Sequence, residues 1–422
     1  MGTGGDAEGR WSGRHPDVYR IWAARGIRSL VGGALSVAFV LELRTAQDPG
    51  WLIGLWLGLA VGGAALWSLG AGRLERRGGR RWAFALGSLG VALGGLLLWI
   101  DLATPAVVLA ALLLGGVLVG GTDIGLLPAL EQASLASASP EPVRTHHFSV
   151  YNLVGYAAGA VGAALAGLPL ASLGWSFPLL PPSPRGWVLL LAALAGLALL
   201  PLYLTLSGAS RGPAPRAPAT PLSPEVRGHL HVLASLFSVD AFAGGLVAPG
   251  IVVYWLTFRY GPGPLPTTLV TQVSLVMALG NAAAGISLLL AAPLARRLGL
   301  IATMVFTHLP SDLLLAMLPF APTLPVAGAL WIARSTLSQM DVPTRQSFVQ
   351  ALVPVPHRTH AAGLTGAARS TSALGSPLAG PLVAAGAPWI VTPFVLAGSL
   401  KAAYDLILWK LFRRVRVSEG PG

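Results

Sequence analysis

The sequence predicts an all-α membrane protein in which twelve transmembrane helices form two parallel repeats of six. Hydrophobic residues make up 54% of the chain and charged residues only 10%, and the mean hydropathy is +0.68. About a quarter of the residues of a soluble domain are charged. The apolar residues also form twelve segments of roughly 20 residues, the helical length that crosses a hydrocarbon core of about 30 Å. Finally, short polar markers recur half a chain apart.

The predicted spans are long apolar runs without the alternating pattern of a β-barrel, which favours helices because a helix satisfies its own backbone in lipid. They cover approximately 27–46, 51–70, 82–101, 105–126, 148–170, 187–206, 230–256, 269–291, 301–320, 325–346, 361–385 and 389–410.

A Pro- and Ala-rich segment divides these spans six and six. Residues 207–226 begin SGASRGPAPRAPATPLSP and lack an apolar face, which predicts an extended cytoplasmic linker. The six-helix halves on either side are 1–206 and 227–422.

The two halves carry four markers in the same order. Because each copy contains six spans, both copies begin on the same side of the membrane, and the repeats are parallel. The offsets between copies are 220, 218, 214 and 213 residues. The markers are the basic loops Gly72–Arg81 and Ala292–Gly299, the acids Asp123 and Asp341, the tripeptides Arg144-Thr145-His146 and Arg358-Thr359-His360, and the glycines Gly167 and Gly380.

The net charge of +12 is distributed unevenly across the predicted membrane. About 20 of the 28 Lys and Arg residues fall on one side, which predicts that this side and both termini are cytoplasmic. This distribution argues against a nucleic-acid partner. The chain has no cysteine and no G-x-x-x-x-G-K-[ST] motif, so we expect no disulfide, no ATP hydrolysis, no cofactor and no metal site.

The basic loops resemble a known family. The first copy matches at Gly72, Leu74, Arg77, Gly79, Arg80 and Arg81, and the second matches at Leu294, Arg297 and Gly299. This pattern is similar to the G-x-L-x-D-R-x-G-R-R loop between the second and third spans of the major facilitator superfamily, which often has a degenerate copy between spans eight and nine. The resemblance covers the whole chain. It implies a secondary transporter whose cytoplasmic gate includes these loops.

One position departs from the superfamily pattern. The resemblance implies a carboxylate that locks the cytoplasmic gate, but the chain has Arg76 there, and Arg296 in the second copy. An arginine would be repelled by a helix N-terminus. Either Glu75 replaces the missing acid, or other acids hold the gate. The acids near the cytoplasmic ends of spans 4 and 10 are Asp123, Glu131 and Asp341.

Asp240 is a candidate for coupling or substrate contact. It lies near the middle of span 7, with no basic residue within a helical turn. Ionisable groups within a membrane are paired or face water, and the resemblance places span 7 beside the central cavity. An unpaired carboxylate there suits reversible protonation. The alternative is a structural bond, or an ion pair with Arg334 or Arg369.

Span 10 carries a charged stripe. Asp341 and Arg345 are four residues apart on one face and can pair, and Arg334 lies about two turns earlier. Their position favours the gate, with substrate or proton handling as the alternative, and Asp123 has the matching place in span 4. Arg369 in span 11 either binds an anionic substrate or completes the gate with Asp341.

Two further predictions concern charges at the periphery. Lys401 and Asp405 are four residues apart on span 12, which predicts a structural ion pair. Asp312 on span 9 is expected to have a peripheral structural role.

The function predicted is that of a monomeric secondary transporter in a bacterial or archaeal cytoplasmic membrane, moving a small molecule across the lipid bilayer by alternating access. Spans rich in Leu, Ala, Gly and Val favour proton-coupled efflux of an apolar or amphipathic compound. The alternative is uptake or facilitated transport of a small nutrient such as a sugar or organic anion. A transporter-derived sensor and a polytopic membrane enzyme are readings from other classes.

Overall fold

In a computed structural model, residues 15–114, 125–139, 141–168, 186–207, 221–354 and 357–415 are described, and every regular element in these ranges is helical. Within these described ranges, eight helical stretches are long and apolar enough to cross a membrane. The helices are α1 (Pro16–Thr45), α2 (Gly50–Ile100), α3 (Pro105–Leu113), α4 (Leu126–Ala138), α5 (Glu141–Ala166), α6 (Gly186–Leu204), α7 (Pro224–Leu246), α8 (Pro249–Tyr260), α9 (Thr267–Leu298), α10 (Leu300–Met317), α11 (Leu324–Ser338), α12 (Asp341–Leu352), α13 (Arg358–Ala368), α14 (Gly375–Ala384) and α15 (Thr392–Phe412).

One glycine in each basic loop has the same backbone conformation. Gly79 interrupts the 51-residue α2 with φ 78° and ψ 162°. Gly299 separates α9 from α10 with φ 86° and ψ 162°. Glycine adopts positive φ without the steric penalty of a Cβ atom, so it turns the chain sharply between consecutive helices. The sequence repeat is therefore matched by a local structural repeat at these loops.

Several predicted spans are broken rather than continuous. Span 7 divides into α7 and α8 at Ala248, whose ψ of 149° is extended because Pro249 follows it. Span 10 divides into α11 and α12, and span 11 into α13, a 3-10 turn at Arg369–Leu374, and α14. Apart from α7, which has 23 residues, these pieces are shorter than a full span. Span 4 includes residues outside the described ranges.

The described apolar residues form three clusters that show how the halves meet. A shared core contains residues of both halves, including Val40, Leu57, Trp255 and Val383. The other two clusters each belong to one half: Phe84 lies in the first and Phe348 in the second. The shared core takes the first turns of α2 and α9, and the basic loops follow further along the chain, around the Gly79 kink of α2 and at the end of α9. The halves therefore pack together at the end away from the loops, which we call the closed end.

Close backbone approach tightens the closed end. Gly50, Gly54 and Gly58 lie one turn apart on α2 and face α14. A Cβ atom at Gly54 would lie 2.6 Å from the backbone oxygen of Ser376. Small residues at this spacing let two helices approach more closely than larger side chains allow.

Candidate functional site

A cavity of about 170 Å³ lies between the halves, on the side of the second half. Breaks in three predicted spans surround it: Pro249 follows the break in span 7, Gln339 marks the break in span 10, and Ser372 lies in the 3-10 turn of span 11. Irregular backbone at membrane depth is tolerated where it lines a cavity. The Tyr156 hydroxyl of α5 donates to Gln339 Oε1 at 2.6 Å and links the two halves beside the cavity.

Asp240 is paired, which corrects the prediction of an isolated carboxylate. The Lys401 ammonium donates to Asp240 Oδ1. Arg345 Nη1 lies 3.3 Å from Asp240 Oδ2 and 3.2 Å from Asp341 Oδ2. All four side chains are buried and border the cavity. The predicted Asp341–Arg345 pair is therefore present, but the partners of Asp240 are Lys401 and Arg345 rather than Arg334 or Arg369.

Arg334 and Arg369 also border the cavity. The Arg334 guanidinium stacks over the Trp331 ring at 5.0 Å. Within the described part of the chain, no carboxylate lies within 4.0 Å of Arg334, and its Nε has no hydrogen-bond partner. A cation in this position can bind a negatively charged group that enters the cavity.

Known proteins resemble this chain in sequence or in fold. No family model matches the chain. The uncharacterized membrane protein YJR124C of Saccharomyces cerevisiae is 23% identical over 433 residues, which cover 94% of this chain and 94% of the yeast protein.

Several solved transporters have the same architecture. The nucleoside transporter NupG matches with a TM-score of 0.69 at 14% identity, over 95% of this chain and 100% of NupG. The D-xylose-proton symporter matches with a TM-score of 0.67 at 16% identity, over 93% and 97% of the two chains. A bacterial homolog of the human lysosomal transporter Spinster, inward-facing and unoccupied, matches with a TM-score of 0.68 at 17% identity, over 97% and 100%. The chain has the fold of the major facilitator superfamily.

Within the superfamily fold, the first basic loop contains its own ion pair. Arg80 Nη2 lies 2.6 Å from Glu75 Oε1, and Arg80 is buried. Glu75 thus pairs within its own loop in this conformation. The other gate-loop residues divide into partly buried Leu74 and exposed Gly72, Arg76, Arg77, Gly79, Arg81, Arg296, Arg297 and Gly299.

Glu131, predicted as a gate partner, is fully buried inside the first half. Arg28 Nη2 donates to Glu131 Oε2 at 2.7 Å, and the hydroxyl of Tyr151 donates to the same oxygen at 2.6 Å. The hydroxyl of Tyr203 donates to Glu131 Oε1. Each of these bonds stays within one half, so in this conformation they do not join Glu131 to the opposite half.

The predicted pair between Lys401 and Asp405 is wrong. Lys401 turns toward Asp240, whereas Asp405 Oδ2 lies 3.0 Å from Nδ1 of His308 on α10. Asp312 is fully buried, lies outside the cavity lining, and has its Oδ2 3.3 Å from the same Nδ1. Its structural role stays a prediction. Sequence reasoning missed His308, although its position four residues before Asp312 was a usable signal.

Two predictions fall on residues that the structure does not describe. Asp123 lies outside the described ranges, as does most of the 207–226 linker. The cavity is also more charged than the Leu-, Ala-, Gly- and Val-rich composition of the spans suggests. The charged residues that border the cavity are Asp240, Arg334, Asp341, Arg345, Arg369 and Lys401.

Proposed function

We propose that this protein is a secondary active transporter that moves a small amphipathic organic anion by alternating access. The conformation described here is then inward-facing, with the closed end outside and the basic loops at the cytoplasmic gate. We further propose that it works as a monomer in the cytoplasmic membrane, with both termini in the cytoplasm and H⁺ as the coupling ion.

The charge of the cavity supports an anionic solute. Its lining contains four basic and two acidic side chains, so the lining is positive overall. Asp240 and Asp341 are already compensated by Lys401 and Arg345. Arg334 adds a guanidinium that stacks on an aromatic ring, an arrangement suited to carboxylate or phosphate binding. This observation carries the proposal.

Apolar residues in the cavity lining support an amphipathic rather than a purely polar solute. Val61 of α2 borders the cavity together with Ala241, Ala248 and Val342. Ligand sites commonly combine such apolar walls with a few placed polar groups. An organic anion with a short apolar part matches this combination of charged and apolar lining residues.

Proton coupling and direction belong to the same proposal. One structural neighbour is a D-xylose-proton symporter, so a proton-coupled member shares this fold. The predicted direction, efflux, stays a prediction. Transport measured with the pH gradient imposed in either orientation tests both.

The experiment uses the purified full-length chain in proteoliposomes. A panel of aliphatic and aromatic carboxylates and sugar phosphates is compared with neutral xylose and nucleosides, with and without a pH gradient. We expect accumulation of at least one amphipathic anion, dependence on the gradient, and at least tenfold weaker apparent affinity in Arg334→Gln. Arg259→Gln, at an exposed residue of α8, is the matched control and should transport normally.

Three results would count against parts of this proposal. Equal transport of anions and neutral solutes, with Arg334→Gln unaffected, would remove the anion specificity. Accumulation that persists after the pH gradient is collapsed would remove proton coupling. If no solute in the panel exchanges across the membrane, the transporter proposal itself fails.

A further inference from the structure

A second polar cluster lies behind the cavity, between two helices. His308 and Asp312 are one turn apart on α10, and Asp405 faces them from α15. His308 Nδ1 lies 3.0 Å from Asp405 Oδ2 and 3.3 Å from Asp312 Oδ2. One potential ligand atom from each residue lies within 4.8 Å of the other two. We call these three residues the triad.

The carboxylates of the triad are buried without adequate partners. Asp312 is 0% exposed and Asp405 is 1% exposed. Within the described part of the chain, both carboxylate oxygens of Asp312 and the Oδ1 of Asp405 have no hydrogen-bond partner. Buried polar atoms are normally satisfied, and a buried charge is normally compensated by a counter-charge or a metal. Apart from the 3.3 Å contact of Asp312 Oδ2 with His308, these buried carboxylate oxygens have no hydrogen-bond partner among the described residues, and they therefore call for a cation.

The neighbouring Lys and Arg residues do not supply this cation. Lys401 is paired with Asp240, and Arg345 with Asp341, so these two pairs cancel in formal charge. Among the described residues, no Lys or Arg lies within 4.0 Å of either triad carboxylate. With a neutral imidazole, the triad carries two negative charges.

We propose that the triad binds one divalent metal ion of the Mn²⁺ or Zn²⁺ class. One imidazole nitrogen and two carboxylate oxygens are ligands that both ions accept. Metal–ligand bonds of about 2.0–2.2 Å place neighbouring ligand atoms about 3 to 3.5 Å apart. The two Nδ1–Oδ2 distances of 3.0 and 3.3 Å fall in this range.

Charge and access favour a divalent ion over a proton. Protons could neutralise the triad only in a pair, one on the imidazole and one on a carboxylate, whereas a single divalent ion removes both negative charges and also engages the unsatisfied oxygens. His308 itself borders the cavity, which provides a route for the ion from the aqueous side. Bound metal would join α10 to α15, one turn from the Lys401 that pairs with Asp240.

The test measures metal binding by the purified full-length protein and does not depend on any transported solute. After chelator treatment, the protein is titrated with Mn²⁺ while electron paramagnetic resonance reports the free ion, and Zn²⁺ is added as a competitor. We expect one Mn²⁺ per chain, displaced by Zn²⁺. His308→Gln, Asp312→Asn and Asp405→Asn should each weaken binding at least tenfold. His231→Gln and Asp101→Asn make the same exchanges outside the triad and should bind like the wild type.

A second measurement covers the possibility that a variant folds poorly. Asn has the shape of Asp but removes the repulsion between the two carboxylates, so metal-free Asp312→Asn should melt no lower than the metal-free wild type. Mn²⁺ should raise the Tm of the wild type, since a ligand that binds only the folded state stabilises it, and should leave Asp312→Asn unchanged. The proposal is overturned if the wild type binds no stoichiometric Mn²⁺ or Zn²⁺, as a site that holds only protons would, or if the triad variants bind like the wild type.

Discussion

Replacing Asp240 by Asn tests whether the charged network is held together as described. Among the described residues, Asp240 is the only carboxylate within 4.0 Å of Lys401, which is 6% exposed. Arg345 is better protected because it keeps Asp341 at 3.2 Å. The Asp240→Asn change therefore leaves one buried ammonium, rather than two cations, without a counter-charge.

The expected loss in the free energy of unfolding follows from the strength of a buried ion pair. Two unit charges 4 Å apart attract by about 4 kcal/mol at an effective dielectric constant of about 20. Breaking a buried ion pair by removing one partner destabilises proteins by about 3–5 kcal/mol. We expect a loss of this size in Asp240→Asn and a smaller loss in Asp341→Asn, because Arg345 then keeps Asp240 at 3.3 Å.

A double-mutant cycle isolates the pair. Asp240→Asn/Lys401→Gln replaces two charges by two amides and should recover most of the stability that each single change loses. The free energy of unfolding is followed in detergent by the fluorescence of the 13 tryptophans. The control Asp101→Asn, in the loop after α2, should stay within about 0.5 kcal/mol of the wild type. A coupling energy below about 0.5 kcal/mol, the usual limit for independent sites, would refute the Asp240–Lys401 pairing.

Two further predictions concern the first half and the closed end. Glu131→Gln should lower the free energy of unfolding by about 3–5 kcal/mol, because it leaves the buried Arg28 without its counter-charge; near-wild-type stability would show that Arg28 finds another partner. Gly54→Val should push α2 away from Ser376, open the closed end and bring the basic loops together. Because the chain lacks cysteine, one spin-labelled cysteine in each loop reports this distance directly, and an unchanged distance distribution would contradict the prediction.

The helical membrane fold and the basic loops were predictable because their signals are local. Apolar composition over about 20 residues reports the solvent that a helix faces. Gly79 and Gly299 mark turns because positive φ favours glycine wherever it occurs in a chain. The Asp341–Arg345 pair was predictable for the same reason, since residues four apart share one helix face.

The same local rule failed on α15. It predicted that Lys401 pairs with Asp405, but Lys401 pairs with Asp240 on α7 and Asp405 with His308 on α10. Asp240 has no basic residue within a helical turn of its own helix, and its two partners come from α12 and α15. Likewise, the apolar composition of the spans does not reveal that six charged residues border the same cavity.

The sequence by itself determined that this protein lies in a membrane, that it is helical and that its basic loops are repeated. These features depend on residues that are neighbours along the chain. The tertiary structure alone decided which charges meet. Asp240 lies 105 residues from Arg345 and 161 from Lys401, and no periodicity in the sequence connects them. In a low-dielectric interior, a buried charge pairs with the opposite charge that helix packing places next to it. Helix packing depends on the whole chain.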